Sequence, residues 1–205
     1  KLEEEQKQMA KLMPREKPTA KSSGNCPDKM SFIPGGVFLA GRDGWPLERD
    51  TLKEMSLNAF CMDQYEVTQA EYERVMGNNP SLFKGTNRPV ETVNWHEAKA
   101  YCQKVGKRLP TEWEWEKAAK AGTTTEYYWG NAMESGKANI CDTNCEFSWK
   151  NNKFDDGYKT TAPVGSFSAN SFGLHDMAGN VWEWTASDYS DTNKVLRSGS
   201  WISRP

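Results

Sequence analysis

The chain has very little histidine, only two residues in 205, and none of its five cysteines forms a CxxC pair. A zinc site made of cysteine and histidine is therefore not expected. No apolar run approaches the roughly 18–20 residues of a membrane-spanning helix. Charges of both signs are interspersed and the net charge is −2, so neither nucleic acid nor an anionic membrane surface is expected as a partner.

Leucine and isoleucine are also few, whereas aromatic residues are many. The sequence contains nine Trp, seven Tyr and eight Phe. This balance predicts a loop-rich fold with a small core built from aromatic side chains. A length of 205 residues allows one substantial domain with a short appendage.

Residues 1–25 differ in character from the rest of the chain. KLEEEQKQMAKLM is highly charged and helix-forming, and PREKPTAKSSGN is a linker rich in Pro, Ser and Lys. We interpret residues 1–25 as a tether that joins the domain to something upstream. A frayed terminus without a role is the alternative. The domain itself is expected to occupy residues 26–205.

Two helices are predicted by capping boxes, in which a threonine and a glutamate three residues later satisfy each other's backbone amides. The pairs are Thr68 with Glu71 and Thr111 with Glu114. Another helix follows the sequence VNW, and a glycine ends each of the three. The predicted helices span residues 69–76, 95–105 and 112–121.

The predicted strands are short. MSFIPGGVFLAGR indicates two strands around a Pro-Gly-Gly turn, and MSLNAFCMDQYEVT indicates another; APVGSF and KVLRSGSW predict further strands. From Thr123 to Thr161 the sequence has no sustained period. An irregular segment of this length is typically functional, or is held by ions or crosslinks.

The cysteine positions allow two local disulfides. Cys26 and Cys61 each flank an N-terminal strand and could pair across it, and Cys141 and Cys145 could close a small ring in the irregular region. Cys102 is then left over. Disulfides would imply an oxidising, extracytoplasmic setting, whether periplasmic, cell-surface or secreted. Five buried, reduced thiols are the alternative.

The most informative segment is GLHDMAGNVWEW at residues 173–184. It combines two tryptophans, two glycines and acidic side chains with neither helical nor clean strand periodicity. Such a segment is typical of a built site or a fixed corner. Further motifs accompany it along the chain: MDQYEVTQAEY at 62–72, PVETVNWHEAKAYC at 89–102, GKRLPTEWEWEKAAKAG at 106–122, YYWGN at 127–131, DDGYKTTAPVGSF at 155–167 and LRSGSW at 196–201.

Taken in order, these motifs resemble the formylglycine-generating-enzyme, or sulfatase-modifying-factor, family over about residues 27–203. The resemblance implies the family's α+β fold, a C-type-lectin-like variant with little regular secondary structure. It also implies calcium, because members of the family bind this ion at two loop sites.

The calcium ligands implied by the resemblance fall into two sets. The first comprises the side chains of Asn139 and Asp156 and the carbonyls of Ile140 and Tyr158. The second comprises the side chains of Asp176 and Glu183 and the carbonyls of Gly179 and Val181. Mixed carboxylate, amide and carbonyl oxygens suit calcium. Capping of the loop's own amides is the alternative role for the acidic pair of the second set.

The catalytic part of the resemblance fails. The family's enzymes oxidise a substrate cysteine to formylglycine with two cysteines just beyond the GSW strand, which bind copper(I), a metal that prefers thiolates. Ser203 stands at the first of these positions, and its hydroxyl can neither bind copper(I) usefully nor form a mixed disulfide. We therefore assign no catalytic residue and expect no copper.

The resemblance also explains Cys102. In the family, the cysteine of the AYC helix pairs with a cysteine in a final FRC strand, which this sequence does not reach. We therefore expect Cys102 to be a free thiol in this chain, and the C-terminal part of the domain to lie outside the sequence.

These observations favour a non-catalytic, calcium-stabilised binding or scaffold domain, with a protein or a surface ligand as its partner and attachment to a larger assembly through residues 1–25. Its exposed loops can vary over a fixed frame. Four aromatic residues are candidate contacts: Tyr127, Tyr128, Trp129 and Trp149. Packing in the core is their alternative role, and it is favoured for Trp129.

Two enzymatic hypotheses stay open. One is the formylglycine-generating oxidase itself, with its active-site segment missing from this sequence. The other is a different oxidoreductase of the family, such as an iron-dependent sulfoxide synthase or a maturase of pigments or siderophores. A sulfoxide synthase needs an upstream domain rich in histidine, and the sequence has only His96 and His175, each of which is more often a surface or packing residue.

Overall fold

The structure is a computed structural model that describes residues 24–41 and 51–204. The predicted tether, residues 1–25, lies almost wholly outside the described residues. Nine regular elements occur in the described part of the chain. In order they are β1 Met30–Ile33, β2 Gly36–Ala40, β3 Lys53–Leu57, β4 Phe60–Asp63, α1 Gln69–Met76, α2 Trp95–Lys104, α3 Glu112–Lys120, β5 Glu183–Asp188 and β6 Lys194–Arg197.

The strands form three separate antiparallel pairs, β1 with β4, β2 with β3, and β5 with β6. The two strands around the Pro-Gly-Gly turn are present but do not pair with each other. The segment MSLNAFCMDQYEVT, predicted as one strand, covers the end of β3 and the whole of β4, with a break after Leu57. That break lets β3 pair with β2 while β4 pairs with β1.

The strand predicted at APVGSF, residues 162–167, is wrong. Pro163 has no backbone N–H to give to a ladder, and Gly165 adopts a φ of +74°. The segment is a turn, in which Ser166 N donates to Pro163 O at 3.3 Å and Val164 N donates to Asn87 O at 2.9 Å. The prediction at KVLRSGSW is confirmed by β6.

The three helices are confirmed, with ends that differ from the prediction by at most one residue. Complete capping boxes begin α1 at Thr68 and α3 at Thr111, as predicted. A third box, unrecognised in the sequence, begins α2 at Asn94. Helix α3 ends one residue early because Ala121 already adopts a left-handed φ of +48°.

The core lies between α3, the first strand pair and the segment 170–177. Its buried members are Ile33, Trp115, Ala118, Leu174 and Met177. Because Trp115 projects from α3 into this cluster, the helix and the loop that carries the 173–184 motif are packed as one unit. This packing fixes the loop that contains the candidate site.

The structure contains both expected disulfides, Cys26–Cys61 and Cys141–Cys145. Cys102 is a free cysteine. Among the residues described, no helix combines the length and apolarity that crossing a membrane would require.

Candidate functional site

The second predicted ligand set lies where the 173–184 segment approaches β5. Asp176 is buried, and its Oδ2 accepts a hydrogen bond of 2.6 Å from Gly165 N. Its Oδ1 is also buried and has no hydrogen-bond partner within the described part of the chain. Glu183 begins β5, and its Oε2 accepts a bond of 2.8 Å from Trp115 Nε1. The two carboxyls are therefore positioned by different parts of the core.

Glu66, which the sequence did not indicate as a site residue, faces the same loop. Its Oε2 accepts a bond of 2.6 Å from Asn180 Nδ2, and its Oε1 accepts a bond of 3.3 Å from Val181 N. The carboxyl thus lies beside the backbone that carries the Gly179 and Val181 carbonyls. Glu66 belongs to the quoted motif MDQYEVT, but only the fold brings it to a segment 115 residues away.

Three carboxyl groups at this place, those of Glu66, Asp176 and Glu183, have raised pKa values. Burial is the largest cause in each case. It raises the pKa of Glu66 well above its usual value, raises the pKa of Asp176, and raises the pKa of Glu183 to about 7. The Asp176 charge raises the pKa of Glu66 and Glu183 further, whereas the Trp115 hydrogen bond lowers that of Glu183. A divalent cation among these oxygens would favour the ionised forms and offset the repulsion.

In the first predicted ligand set, Asp156 contacts the backbone of Ile140 and Tyr158. Asp156 Oδ2 accepts a bond of 2.9 Å from Ile140 N, and its Oδ1 accepts one of 2.8 Å from Tyr158 N. Burial raises the pKa of Asp156 to about 6, and nearby Asp142 adds to the rise, against the lowering effect of these two bonds. Asn139 is fully buried, and its Oδ1 has no partner among the described residues.

The two sets are connected through Asn180. Asn139 Nδ2 donates to Asn180 Oδ1 at 3.1 Å, and Asn180 N donates to Asn139 O at 2.9 Å. Asn180 Oδ1 also accepts a bond of 2.8 Å from Ala162 N. Since Asn180 Nδ2 donates to Glu66, one side chain joins Asn139 of the first predicted set to Glu66, which lies beside the second.

The residues present fit calcium better than a transition metal. Within residues 24–41 and 51–204, no three His, Cys, Asp or Glu side chains form a ready-made metal cluster. Each predicted set instead combines two side-chain ligands with two carbonyls, and each holds one buried oxygen without a partner, Asn139 Oδ1 or Asp176 Oδ1. Unpaired buried oxygens are costly unless an ion or water satisfies them. Calcium binding at these positions stays a prediction.

A largely apolar groove of 580 Å³ passes beside the second ligand set. Glu66, Val181 and Glu183 line it, together with side chains from β4 and α2. Cys102 lies in the same groove, and burial raises the pKa of its thiol. A raised pKa lowers the thiolate fraction, so this cysteine is not an activated nucleophile.

Ser203 lies elsewhere, against the irregular region. Its Oγ accepts a bond of 2.9 Å from Ser200 N, and its carbonyl accepts one of 3.1 Å from Cys141 N. These contacts make Ser203 part of a tight turn that supports the Cys141–Cys145 ring. The Ser203 hydroxyl therefore has a local hydrogen-bond partner, the backbone N–H of Ser200.

The candidate contact residues divide into two groups. Tyr127 and Trp129 stack at 4.7 Å, and Tyr128 Oη donates to Ser168 O at 2.7 Å, so these three pack against one another and against a neighbouring turn. Trp149 is different, because 39% of its surface is exposed.

The two histidines make packing contacts. His175 stacks on Tyr65 at 4.7 Å and its Nδ1 lies 2.8 Å from Phe167 O. The His96 ring lies at 5.1 Å from that of Trp95. The structure therefore does not bring the two histidines together as a pair of ligands.

Comparison with known proteins identifies the family of this chain. The chain matches the family "Sulfatase-modifying factor enzyme 1-like domain" over residues 15–205. It is 39% identical to the mouse "Inactive C-alpha-formylglycine-generating enzyme 2" over 84% of this chain and 74% of that protein. The chain belongs to the sulfatase-modifying-factor family, and the expected fold class is confirmed.

Relatives with other printed names match at lower identity. The mouse "Formylglycine-generating enzyme" is 30% identical over 77% of this chain and 58% of its own length. "Chaperone protein LppX" of Paenibacillus barcinonensis is 28% identical over 89% of this chain and 82% of its own length. The chain spans only 46% of the bovine inactive relative. Family membership therefore does not decide between catalysis and binding.

Solved structures show the same architecture. "Treponema denticola variable protein 1" superposes with a TM-score of 0.68 and 25% identity, covering 85% of this chain and 84% of that one. PvdO from Pseudomonas aeruginosa superposes with a TM-score of 0.65 at 24% identity, covering 84% and 82% of the two chains. The likeness to PvdO shows the fold alone.

Proposed function

We propose that this domain is a non-catalytic, calcium-stabilised binding module that works outside the cytoplasm. The observation that carries the proposal is Ser203, which stands where the resemblance places the first copper-binding cysteine and which bonds to Ser200 N. A serine hydroxyl is a hard, weakly acidic group, whereas copper(I) prefers soft thiolates. Cys102 is the free thiol in the described part of the chain. It lies in the groove, where burial raises its pKa.

The names of two relatives support a role without this chemistry. One is described as inactive and the other as a chaperone protein. A chaperone acts by binding other proteins, and a loop-rich surface on a fixed frame suits that task. Both disulfides favour an oxidising compartment, which motivates the extracytoplasmic assignment.

Calcium would act as a structural element in this proposal. The Asn139–Tyr158 set and the Asp176–Glu183 set would each hold one ion, with Glu66 beside the second. A bound ion would satisfy the two orphaned oxygens and favour the ionised carboxyls. An ion that binds only the folded state stabilises it by roughly 2.7 kcal/mol at a hundredfold excess over the dissociation constant.

An oxidation assay tests the non-catalytic assignment. The protein is incubated with a sulfatase-type peptide, copper(I) and oxygen, and mass spectrometry follows conversion of the peptide cysteine to the aldehyde. The mouse formylglycine-generating enzyme serves as the positive control. We expect no aldehyde above the level without protein. Aldehyde formation with repeated turnover would refute the assignment.

Elemental analysis and thermal melting test the calcium assignment. We expect two equivalents of calcium in the purified protein and a lower melting temperature in EDTA. Asp176→Ala and Glu183→Ala should each lower the melting temperature in calcium and shrink the effect of EDTA. A melting temperature that EDTA leaves unchanged, with no bound calcium, would contradict the assignment.

A further inference from the structure

Four aromatic rings form a continuous row that ends at the protein surface. Phe83 and Trp201 meet edge to face at 5.2 Å, Trp201 and Phe147 lie 6.2 Å apart, and Phe147 stacks on Trp149 at 4.5 Å with 12° between the planes. We call these four residues the aromatic row. Phe147 and Trp149 expose 37% and 39% of their surface, although aromatic rings normally gain from burial.

The exposed end of the row is held rigidly. The Cys141–Cys145 disulfide closes the turn that precedes Phe147, and Asn151 N donates to Cys141 O at 2.9 Å on the other side of the rings. Trp149 Nε1 donates to Ile202 O at 3.1 Å, which fixes the plane of the indole. A ligand that stacks there would meet a preformed surface, so little conformational entropy would be lost on binding.

A shallow basic cleft adjoins Trp149. Its remaining lining residues are Lys150, Asn151, Asn152, Lys153 and Arg204. None of the three cations pairs with a carboxylate in the part of the chain that the structure describes, and no acidic residue lines the cleft. Nearby Glu146 pairs with Lys159 at 2.6 Å, so its charge does not offset that of the cleft. The cleft therefore carries positive charge beside an exposed aromatic face.

The polar groups of the cleft suit hydroxyl-rich partners. Asn151 Oδ1 accepts a bond of 2.9 Å from Lys153 N, and the Asn151 Nδ2 group makes no hydrogen bond within the described part of the chain. Asn152 is exposed. Amide donors at the rim of an aromatic face can bond the hydroxyls of a sugar whose apolar C–H face lies on the ring. The lysines can pair with a carboxylate on the same sugar.

Other ligands fit less well. An extended peptide commonly adds to a sheet edge, but β4 ends at Asp63 and β5 begins at Glu183, so the surface consists of turns. Nucleic-acid binding requires many phosphate contacts along a basic track, and this cleft offers three cations on a chain of net charge −2.

We infer that the aromatic row and the adjoining basic cleft bind an acidic polysaccharide, with a uronate ring stacked on Trp149 and its carboxylate paired with Lys150 and Lys153. This inference rests on the proposed binding function and names its ligand class. It does not depend on calcium, because none of the predicted calcium ligands lines the cleft.

Isothermal titration with oligogalacturonate tests the inference, and the methyl-esterified oligosaccharide is the matched neutral probe. We expect binding of the acid form, and binding of the ester at least about tenfold weaker. Trp149→Ala should weaken binding of the acid form by about tenfold or more, because the apolar face of the sugar loses its contact with the indole ring. Lys150→Ala with Lys153→Ala should weaken it roughly fivefold and reduce its dependence on salt.

Two surface variants serve as controls. Tyr189→Ala removes an exposed aromatic ring and Lys104→Ala removes an exposed cation, both away from the cleft, and neither should change the affinity. Melting temperatures of all variants establish that they fold. Equal affinity for acid and ester forms, or unchanged affinity in Trp149→Ala, would overturn the inference. Equally tight binding of poly-glutamate would also overturn it, because the cleft would then recognise charge alone.

The outcomes separate this inference from the proposed function. If the protein holds calcium and forms no aldehyde but does not bind oligogalacturonate, the inferred ligand class is wrong and the proposed binding function still stands. Aldehyde formation would remove the proposed function whatever the oligosaccharide does.

Discussion

Asn139 and Asn180 are joined by two hydrogen bonds, one from Asn139 Nδ2 to Asn180 Oδ1 at 3.1 Å and one from Asn180 N to Asn139 O at 2.9 Å. Both residues are fully buried. The pair connects the loop of the first predicted calcium site to the loop of the second. Two irregular segments 41 positions apart in the chain are therefore held by one asparagine pair.

Replacing Asn180 by alanine should be costly. The change would leave Asn139 Nδ2, Ala162 N and Glu66 short of a partner, and buried groups without partners each cost about 1–3 kcal/mol. We expect the free energy of unfolding to fall by about 2–4 kcal/mol, measured by urea denaturation. Asn152→Ala, at an exposed asparagine, is the matched control and should change it by less than about 0.5 kcal/mol. Equal effects of the two variants would show that the pair is not structurally important.

Gly179 is required by its close contact with Asn139. A Cβ at Gly179 would lie 2.1 Å from Asn139 O, and its φ is +79°. Gly136 has a similar φ of +72° but no atom within 4 Å of such a Cβ. Gly136→Ala should therefore cost only about 1–2 kcal/mol from the left-handed backbone, whereas Gly179→Ala should cost clearly more and weaken calcium binding. Thermal melts with and without calcium would compare them, and a similar loss in both variants would contradict the steric argument.

The raised pKa values of Glu66, Asp176 and Glu183 predict an unusual dependence on pH. A carboxyl whose pKa is higher in the folded state keeps a proton that the unfolded chain has lost, so stability falls as pH rises between the two values. For Glu183 these values are 4.5 and about 7. In EDTA we expect the melting temperature to fall from about pH 5 to about pH 8, and calcium to reduce or reverse this fall because it favours the ionised carboxyls.

Glu183→Gln provides the control for the pH effect. It should flatten the profile in EDTA and reduce stabilisation by calcium. Glu71 and Glu114 have lowered pKa values, so the stability they add is lost only as pH falls below their unfolded value of 4.5 and stays constant in this window. A melting temperature in EDTA that rises steadily over the same range would be inconsistent with the three-carboxyl group.

The two disulfides should stabilise the fold to different extents. Cys26–Cys61 spans 35 positions and Cys141–Cys145 only 4. On the loop-entropy account, the longer crosslink contributes about 4 kcal/mol and the shorter about 2 kcal/mol. Paired Cys→Ser variants, compared by urea denaturation, should show this order. Removing the short crosslink should also weaken oligogalacturonate binding, because it loosens the turn before Phe147, whereas removing the long one should not.

The sequence was sufficient for elements with local signals. The helices α1 and α3 could be predicted because Thr68 with Glu71, and Thr111 with Glu114, carry a complete capping box within four residues. The pairing of β1 with β4 could not, because nothing local distinguishes Ile33 opposite Phe60 from a hairpin between β1 and β2. The APVGSF strand failed because a left-handed glycine and a proline outweighed its apolar residues.

For the candidate site, too, residues within a local motif could be predicted and residues brought together only by the fold could not. Asp176 and Glu183 could be proposed as ligands because they belong to a motif that carries the family resemblance. Glu66 was missed because its partners, Asn180 and Val181, are more than 110 positions away. The exposed end of the aromatic row was only partly foreseen, through Trp149, since stacking with Phe147 and contact with Ile202 depend on how two distant turns meet.

The three separate strand pairs have a consequence for how quickly this chain folds. Without a sheet that spans the described part of the domain, distant segments are joined by individual bonds, such as Gly41 N to Glu116 Oε1 across 75 positions and Trp184 Nε1 to Val93 O across 91. Such contacts require closure of long loops before they contribute any energy, which slows folding. During synthesis, the N-terminal half must therefore wait for residues near 180 to emerge, and the apolar side chains of β4 and α2 that line the groove stay exposed in the meantime.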